Sequence, residues 1–369
     1  MPVAAPCNLV SLVASTTSSM EPACLPSRRD SYNGTTERYE LCDEIRRLSK
    51  RLPRRNSADA AQRRFDGLPS CFAVEGASSA VVTFLALADT EPTYVDAAAV
   101  LGHSARRYLP GSRRIAMVAG GAIPQGAARR LKPTWELCSV PTLLPALRKP
   151  LSSQYFDTFS KLHYTGLTQF QTLLYFDADV LLVAPAAALL RALDNTPHAI
   201  AATADVGYGG VRSSVFNSGV LVIRPSRELH AAVLSALTRS NAPMVGEQDF
   251  LNAFFGGFNR CGRLSPRYNA NLYLIIYARE VWEREVLASP GPVVVHYTLN
   301  KPFKVRLNRT CVRVPPLPPQ EYGACAQAAC EEALRQHKRI RHVLKFRLPT
   351  CAPVAWWRKA EQQLELGEY

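Results

Sequence analysis

The sequence predicts an α/β fold built on a doubly wound, mostly parallel mixed sheet. Short apolar runs that are typical of buried strands recur along the chain, at 80–87, 115–119, 137–140, 172–179, 198–203, 215–223 and 292–296. Segments with apolar residues at helical spacing lie between them, at 94–107, 156–168, 227–238 and 247–255. Because strands that alternate with helices usually form parallel sheets, we expect a single α/β domain.

Two extensions flank this domain. Residues 1–75 are rich in Ser, Pro and Thr at first and in Arg further on, with little apolar periodicity. Beyond residue 310 prolines cluster at 315–319, and a basic run without acidic residues follows at 335–347. We therefore divide the chain into an N-terminal extension (1–75), a domain (76–310) and a basic C-terminal extension (311–369).

Charge and cysteine content limit the function classes. Lys and Arg outnumber Asp and Glu by 44 to 30, a net charge of +14. This excess favours anionic partners such as nucleotides, nucleic acid or acidic membranes, although a solvated basic face explains it equally well. The ten cysteines include no C-x-x-C pair, which argues against a zinc module or a redox dithiol.

The first residues and the hydropathy favour a soluble cytosolic protein, and a Golgi or secretory lumen is the alternative. No uncharged apolar run reaches the roughly 18 residues that a membrane-spanning helix needs. The first 20 residues carry no basic group, whereas a signal peptide normally begins with one. Whether the cysteines are paired stays open, because an even count fits either redox state.

An acidic pair gives the sharpest chemical signal. The apolar strand candidate 172–179 ends in Asp177-Ala178-Asp179. Residues i and i+2 of an extended segment point to the same side, and ligands of open α/β sheets bind at the carboxyl ends of strands. Two carboxylates suit Mg²⁺ or Mn²⁺, with phosphate oxygens completing the coordination. The alternative is an acidic turn after a strand.

A histidine and a lysine extend this signal. His296 ends the apolar run 292–296, and Lys301 follows five residues later. A neutral imidazole is a suitable third ligand for Mn²⁺, and the lysine could neutralise a departing diphosphate. A single histidine at a strand end is more often structural, which is the alternative here.

Two further segments place polar side chains beside apolar ones. Asn217, Ser218 and Gly219 interrupt the strand candidate 215–223, which indicates either contacts with sugar hydroxyls or a β-bulge. Glu247 and Gln248 begin a helical segment. They could cap that helix, or they could present a carboxylate and an amide to a pocket.

Taken together, these segments resemble glycosyltransferase family 8, in particular its glycogenin-like branch. The matching stretches occur in the family's order, at 83–104, 161–170, 175–185, 216–226, 246–255, 268–269 and 296–303. They cover residues 80–305, roughly six tenths of the chain.

The resemblance implies a single GT-A type nucleotide-diphospho-sugar transferase domain, a UDP-sugar donor, Mn²⁺ (or Mg²⁺), and retention of anomeric configuration. It implies a metal held by Asp177, Asp179 and His296. Donor contacts fall on Tyr94 for the uracil, Lys161, Asn217, Ser218 and Gln248. Catalytic roles fall on Glu247 near the anomeric carbon and Lys301 at the diphosphate.

The sequence departs from glycogenin in four places. Glu247 replaces an aspartate, and the segment from His296 to Lys301 is one residue shorter and lacks a glycine. The first strand motif lacks the usual Thr-x-Asp-x-Tyr pattern. Tyr277 lies near the tyrosine that glycogenin glucosylates on itself, but an ungapped count places Ala278 there. We therefore expect transfer to another acceptor, whether glycan, lipid or protein.

The predicted function is Mn²⁺-dependent transfer of a hexosyl group from a UDP-sugar. The alternative is a catalytically weak scaffold that binds nucleotide-sugars or anionic surfaces. A nicotinamide-dependent oxidoreductase is disfavoured because no G-x-G-x-x-G follows the strand candidate 80–87. We expect no nucleic-acid partner, and the basic run 335–347 could contact an anionic membrane. The sequence does not indicate the oligomeric state.

Overall fold

A computed structural model describes most of the predicted domain. It covers residues 68–86, 92–119, 123–144, 153–207, 209–240 and 244–298, and residues 301, 360, 363 and 364. Most of both predicted extensions, including the basic run 335–347, lies outside the described residues.

A seven-stranded sheet forms the centre of the domain. In chain order its strands are β1 (Ala77–Ala86), β2 (Arg113–Ala119), β3 (Glu136–Val140), β4 (Phe170–Phe176), β6 (Ile200–Gly207), β7 (Gly210–Ile223) and β8 (Gly262–Arg263). They lie in the spatial order β3-β2-β1-β4-β7-β6-β8. Strand β7 runs antiparallel to both its neighbours, and all other pairs are parallel. This confirms the α/β class with a mostly parallel mixed sheet.

Helices cover both faces of the sheet, as the doubly wound prediction requires. They are α1 (Pro92–Tyr108), α2 (Gln125–Leu131), a 3₁₀ segment (Ser153–Gly166), α3 (Arg227–Arg239) and α4 (Glu247–Phe255). Alternate residues of β1 serve opposite faces. Val81 and Leu85 join an apolar cluster with α1 and α2, whereas Val82 and Phe84 join one with the 3₁₀ segment, α3 and α4. The sheet is therefore buried on both sides.

The predicted helix at 156–168 takes a tighter form than an α-helix. It is the 3₁₀ segment Ser153–Gly166, in which Thr165 Oγ1 donates to the carbonyl of Leu162, 2.7 Å away. Strand β7 also begins earlier than predicted, at Gly210. Residues 211–214 are exposed, so this part of the strand has no apolar run by which the sequence could reveal it.

A second, three-stranded sheet lies beyond the carboxyl end of β4. It pairs β5 (Val180–Leu182) and β9 (Ala270–Asn271) with the central β10 (Val294–His296). His296 pairs with Val180 on one side and with Asn271 on the other. The Tyr297 N–H also donates to the carbonyl of Asp179 at 3.0 Å. This register brings the predicted histidine beside the predicted acidic pair.

A disulfide joins the segment before β1 to the edge strand β3. Cys71 and Cys138 are both fully buried, whereas Cys261 is a buried free thiol. The pairing of these two cysteines, which the sequence left open, is therefore present in the described residues. Location stays a prediction.

Two observations concern membranes and the chain's C-terminal part. No helix in the described ranges has both the length and the apolar character needed to cross a bilayer. Ala360 is buried in an apolar cluster with Leu272 and Trp282, and the Arg107 guanidinium donates to Gln363 Oε1 at 3.2 Å. These C-terminal residues therefore contact the domain. Two short helices, α5 (Tyr273–Tyr277) and α6 (Arg279–Val281), complete it.

Candidate active site

Asp177, Asp179 and His296 converge at the carboxyl end of β4, as predicted. One ligand atom from each lies within 4.8 Å of the other two. The backbone fixes the turn between β4 and β5, because the Asp177 N–H donates to the carbonyl of Gly219 at 2.8 Å. Asp179 and His296 are 8% and 4% exposed, so the group lies at the floor of the site.

Gly219 makes room for the imidazole. A Cβ at this position would lie 2.2 Å from His296 Cε1, which is far inside van der Waals contact. Strand β7 also bulges here, because Ala202 pairs with Leu221 while Ala204 pairs with Phe216. Four residues of β7 therefore lie opposite one residue of β6. The β-bulge that the sequence offered as one alternative is therefore present, whereas the contact with sugar hydroxyls stays a prediction.

Two lysines balance the acidic pair. Lys301 Nζ contacts Asp179 Oδ2, and Lys161 Nζ lies 2.7 Å from Asp177 Oδ1 and 3.2 Å from Glu247 Oε1. Burial alone would lower the pKa of Lys161, but the charges of Asp177 and Glu247 outweigh it and raise that pKa well above its usual value. Lys161 therefore remains a cation shared by two carboxylates.

Asp179 is held as a carboxylate. Its burial would raise its pKa, but the charge of the Lys301 ammonium group outweighs this effect and holds the pKa well below its ordinary range. Asp179 therefore keeps an ionised oxygen at the place where a cation could bind.

The tautomer of His296 follows from its neighbour. His296 Nδ1 lies 3.0 Å from Asn269 Oδ1, and a carbonyl oxygen can only accept, so Nδ1 carries the hydrogen. Asn269 is oriented in turn, because its Nδ2 donates to Asn217 Oδ1 at 2.9 Å. The lone pair of Nε2 thus faces the acidic pair, 3.4 Å from Asp179 Oδ1. A partner that fixes the ring in this way is typical of a metal-ligating histidine.

A network of amides and carboxyl groups continues along β7. Asn217 Nδ2 donates to Asp205 Oδ1 and to Gln248 Oε1, each at 3.1 Å. Gln248 Oε1 also accepts from the Ser218 N–H at 3.0 Å. Asn217, Ser218 and Gln248 are thus brought together, as predicted. Buried groups that can both donate and accept suit a ligand with several hydroxyls.

Glu247 belongs to the same site. It is the first residue of α4 and is 6% exposed. Its Oε1 accepts from Ser218 Oγ at 2.8 Å as well as from Lys161. The helix N-terminus further stabilises the negative charge. Glu247 therefore does more than cap the helix, because its carboxylate contacts Ser218 of β7 and Lys161 of the 3₁₀ segment.

Tyr94 lies in the first turn of α1, which follows β1. It is half-buried against the apolar cluster that includes Phe176 and Ala178, the residues around the acidic turn. Its predicted contact with uracil stays a prediction.

The structure adds Tyr175, Asp205 and Asn269 to the predicted residues. Tyr175 donates its hydroxyl to Asp177 Oδ1 at 2.6 Å. In the sequence, Tyr175 lies within an apolar strand candidate and resembles a core residue. Because it lies two residues before Asp177, both side chains point to the same side of β4. Asp205 lies in the part of β6 beyond the predicted apolar run 198–203, so periodicity alone gave no signal for it.

Comparison with known proteins shows which family the central segment resembles. Residues 145–305 match the profile of the family described as Glycosyl transferase family 8. This segment therefore resembles glycosyltransferase family 8. The glycogenin-like resemblance is also confirmed: rabbit (Oryctolagus cuniculus) Glycogenin-1 is 28% identical over 177 residues, 46% of this chain and 49% of the relative. Neurospora crassa Glycogenin is 33% identical over 116 residues, 31% of this chain and 15% of the relative.

The chain thus matches at most about half the length of these curated relatives. Two solved structures are also similar. The glycosyltransferase GlyE of Streptococcus pneumoniae TIGR4 has a TM-score of 0.44 at 20% identity, covering 69% of this chain and 61% of that one. The galactosyltransferase LgtC, solved with donor and acceptor sugar analogs, has a TM-score of 0.41 at 18% identity. The match covers 66% of this chain and 99% of that one.

The site has ligand atoms that fit a divalent cation. Asp177 and Asp179 provide hard oxygen ligands, and His296 provides an imidazole nitrogen whose lone pair faces them. This mixture suits Mn²⁺ or Mg²⁺ better than a soft metal, which prefers thiolates. Lys161 and Tyr175 both contact Asp177 Oδ1, which leaves Asp177 Oδ2 as the oxygen without those contacts.

We predict that Tyr175→Phe weakens Mn²⁺ binding about tenfold or more, because loss of an orienting hydrogen bond typically has such an effect. Tyr164→Phe is the matched control. Its ring packs 5.0 Å from Tyr175, and its buried hydroxyl has no hydrogen-bond partner within the described ranges. Mn²⁺ affinity can be measured by electron paramagnetic resonance, with circular dichroism as the folding control. Equal affinities for the two variants would show that Tyr175 does not position Asp177.

Proposed function

We propose that this domain transfers a hexosyl group from a UDP-sugar to an acceptor, with retention of configuration and dependence on Mn²⁺. One observation carries the proposal: Asp177, Asp179 and His296 meet beside the buried Glu247, within reach of two lysines. The family 8 match supports glycosyl transfer as the reaction class. The sugar, the metal and the stereochemistry are finer parts of the proposal.

Donor binding would use the charged end of the site. A divalent cation held by Asp177, Asp179 and His296 would neutralise charge on the donor's diphosphate. Lys301 already contacts Asp179, so its ammonium group lies where it could also face the departing UDP. Positive charge at this point accelerates the reaction, because negative charge on the leaving group grows in the transition state. Tyr94 is proposed to contact the uracil.

Recognition of the sugar would fall to the network along β7. The buried Asp205 and Asn217 and the half-buried Gln248 present donors and acceptors that are already linked to one another. Such preorganised groups select a sugar through the positions of its hydroxyls, since an unmatched hydroxyl leaves a buried polar atom without a partner.

Glu247 bears on how configuration is retained. A covalent route requires a carboxylate nucleophile on the face opposite the leaving group, whereas same-face attack does not. Two donors, Ser218 Oγ and Lys161 Nζ, already share Glu247 Oε1. These contacts reduce the carboxylate's nucleophilicity and suit a group that stabilises positive charge at the anomeric carbon. We therefore favour same-face attack.

The proposed acceptor is a separate molecule. Tyr277 ends α5, is half-buried, and stacks on Tyr273 with ring centroids 5.5 Å apart. Ala278, which the ungapped count aligns with glycogenin's acceptor, has no hydroxyl. The alternative function is the nucleotide-sugar-binding scaffold. It is less favoured because a binding protein needs neither the buried Glu247 nor its link through Lys161 to the acidic pair.

We predict that Asp179→Asn abolishes Mn²⁺-stimulated release of UDP from UDP-sugars, with a loss of at least about 10²–10³ in rate. Asp194→Asn, at an exposed carboxyl group, is the matched control and should keep full activity. The assay is a screen of UDP-sugars with and without Mn²⁺, with folding checked by circular dichroism. UDP release that continues unchanged in EDTA would contradict the metal-dependent reaction, and no release with any donor would favour the scaffold.

We predict that Glu247→Gln lowers turnover by about 10²–10³, the effect of losing one electrostatic contact in the transition state. If Glu247 were the nucleophile, its loss would remove the covalent route and cost several orders of magnitude in turnover. Turnover is measured at saturating UDP-sugar, together with mass spectrometry of the trapped wild-type enzyme. A glycosyl adduct on Glu247 would overturn same-face attack, and wild-type turnover in the variant would remove the residue from the reaction.

A further inference from the structure

A second cavity lies at the end of the central sheet opposite the active site. It has a volume of about 490 Å³, and the residues that line it include Phe72, Thr168, Gln169, Arg227, His230 and Leu234. Gln169 directly precedes β4, whereas Asp177 directly follows it. A seven-residue strand at about 3.3 Å per residue separates the two places by roughly 23 Å. This cavity is therefore distinct from the donor site.

Phe72 presents a fixed aromatic surface at this cavity. Its side chain is 40% exposed, yet it packs edge-on against His163 with ring centroids 5.6 Å apart. The preceding Cys71 is bonded to Cys138, and its carbonyl accepts from Gln169 Nε2 at 2.7 Å. The ring is thus held in place by its neighbours, so that little conformational entropy would be lost on binding a ligand.

Gln169 and His230 both offer acceptors to a ligand. Gln169 Nε2 donates to the Cys71 carbonyl, so Gln169 Oε1 is the atom that can accept from a ligand. His230 Nδ1 lies 2.9 Å from Thr165 Oγ1, whose only hydrogen is donated to the carbonyl of Leu162. Nδ1 must therefore be the donor, and Nε2 of the neutral ring is an acceptor. Burial lowers the pKa of His230, which keeps the ring neutral.

The remaining lining groups supply donors and apolar contacts. The Arg227 guanidinium can only donate, the Thr168 hydroxyl can do both, and Leu234 adds apolar surface. A phosphate would need donors throughout, and an apolar peptide side chain would make no use of the half-buried polar groups of Gln169 and His230. A sugar ring has hydroxyls that both donate and accept, together with C–H faces that pack on an aromatic ring.

We propose that this cavity binds a sugar unit of a neutral oligosaccharide, at a site separate from the donor site. Its volume lies within the usual range of ligand pockets. Such a site would hold a carbohydrate chain on the domain whether or not transfer occurs. It therefore extends beyond the proposed reaction, and binding there needs neither metal nor UDP-sugar.

The test is binding of maltohexaose, cellohexaose and chitohexaose to the full chain, without metal or UDP-sugar, by isothermal titration calorimetry. At least one of the three should bind, and Phe72→Ala should weaken its binding about tenfold, the scale of an aromatic contact. Arg227→Gln is a second variant at an exposed position and should also weaken binding. Asp179→Asn should bind normally, which separates this site from the proposed reaction.

Three outcomes would overturn the proposal. The first is the absence of binding for all three oligosaccharides. The second is binding that neither Phe72→Ala nor Arg227→Gln changes, since the sugar would then lie elsewhere. The third is displacement of the sugar by millimolar inorganic phosphate, which would identify the cavity as an anion site.

Discussion

The balance between buried carboxylates and lysines at the carboxyl end of β4 is the constraint on which the site depends. Asp177, Asp179 and Glu247 are drawn into one small volume, where like charges without partners would be strongly destabilising. Lys161 joins Asp177 to Glu247, and Lys301 contacts Asp179. The lysines therefore compensate the negative charge that the three acids bring together at the place where a divalent cation could bind.

The fold produces this arrangement by letting two sheets meet. The chain leaves the large sheet at Phe176 and enters the small one at Val180, so the acidic pair occupies the junction. Antiparallel pairing of β5 with β10 places His296 opposite Val180. The bulge of β7 then turns Asn217 and Ser218 towards α4, while Gly219 leaves space for the imidazole ring. Each group is positioned by backbone pairing, which gives the site its rigidity.

Much of this could be predicted from the sequence, because buried strands leave apolar runs and polar residues at their ends stand out. The acidic pair and His296 were recognised in that way, whereas Asn217 stood out inside an apolar run and Glu247 at the start of a helical segment. Tyr175 and Asp205 were missed for physical reasons. A tyrosine inside an apolar strand looks like a core residue until its hydroxyl is located, and Asp205 gains its role only through a long-range contact with Asn217. The pairing of Cys71 with Cys138 likewise depends on tertiary proximity that spacing does not encode.

The central claim is that Asp177, Asp179 and His296 form one metal site. Crystals of the domain grown with UDP and Mn²⁺ would test it directly, through anomalous difference maps recorded at the manganese absorption edge. The account predicts a single strong peak within bonding distance of both carboxylates and of His296 Nε2, with the Lys301 ammonium group moved from Asp179 towards the diphosphate. A well-ordered UDP without such a peak, or manganese bound to other residues, would contradict it.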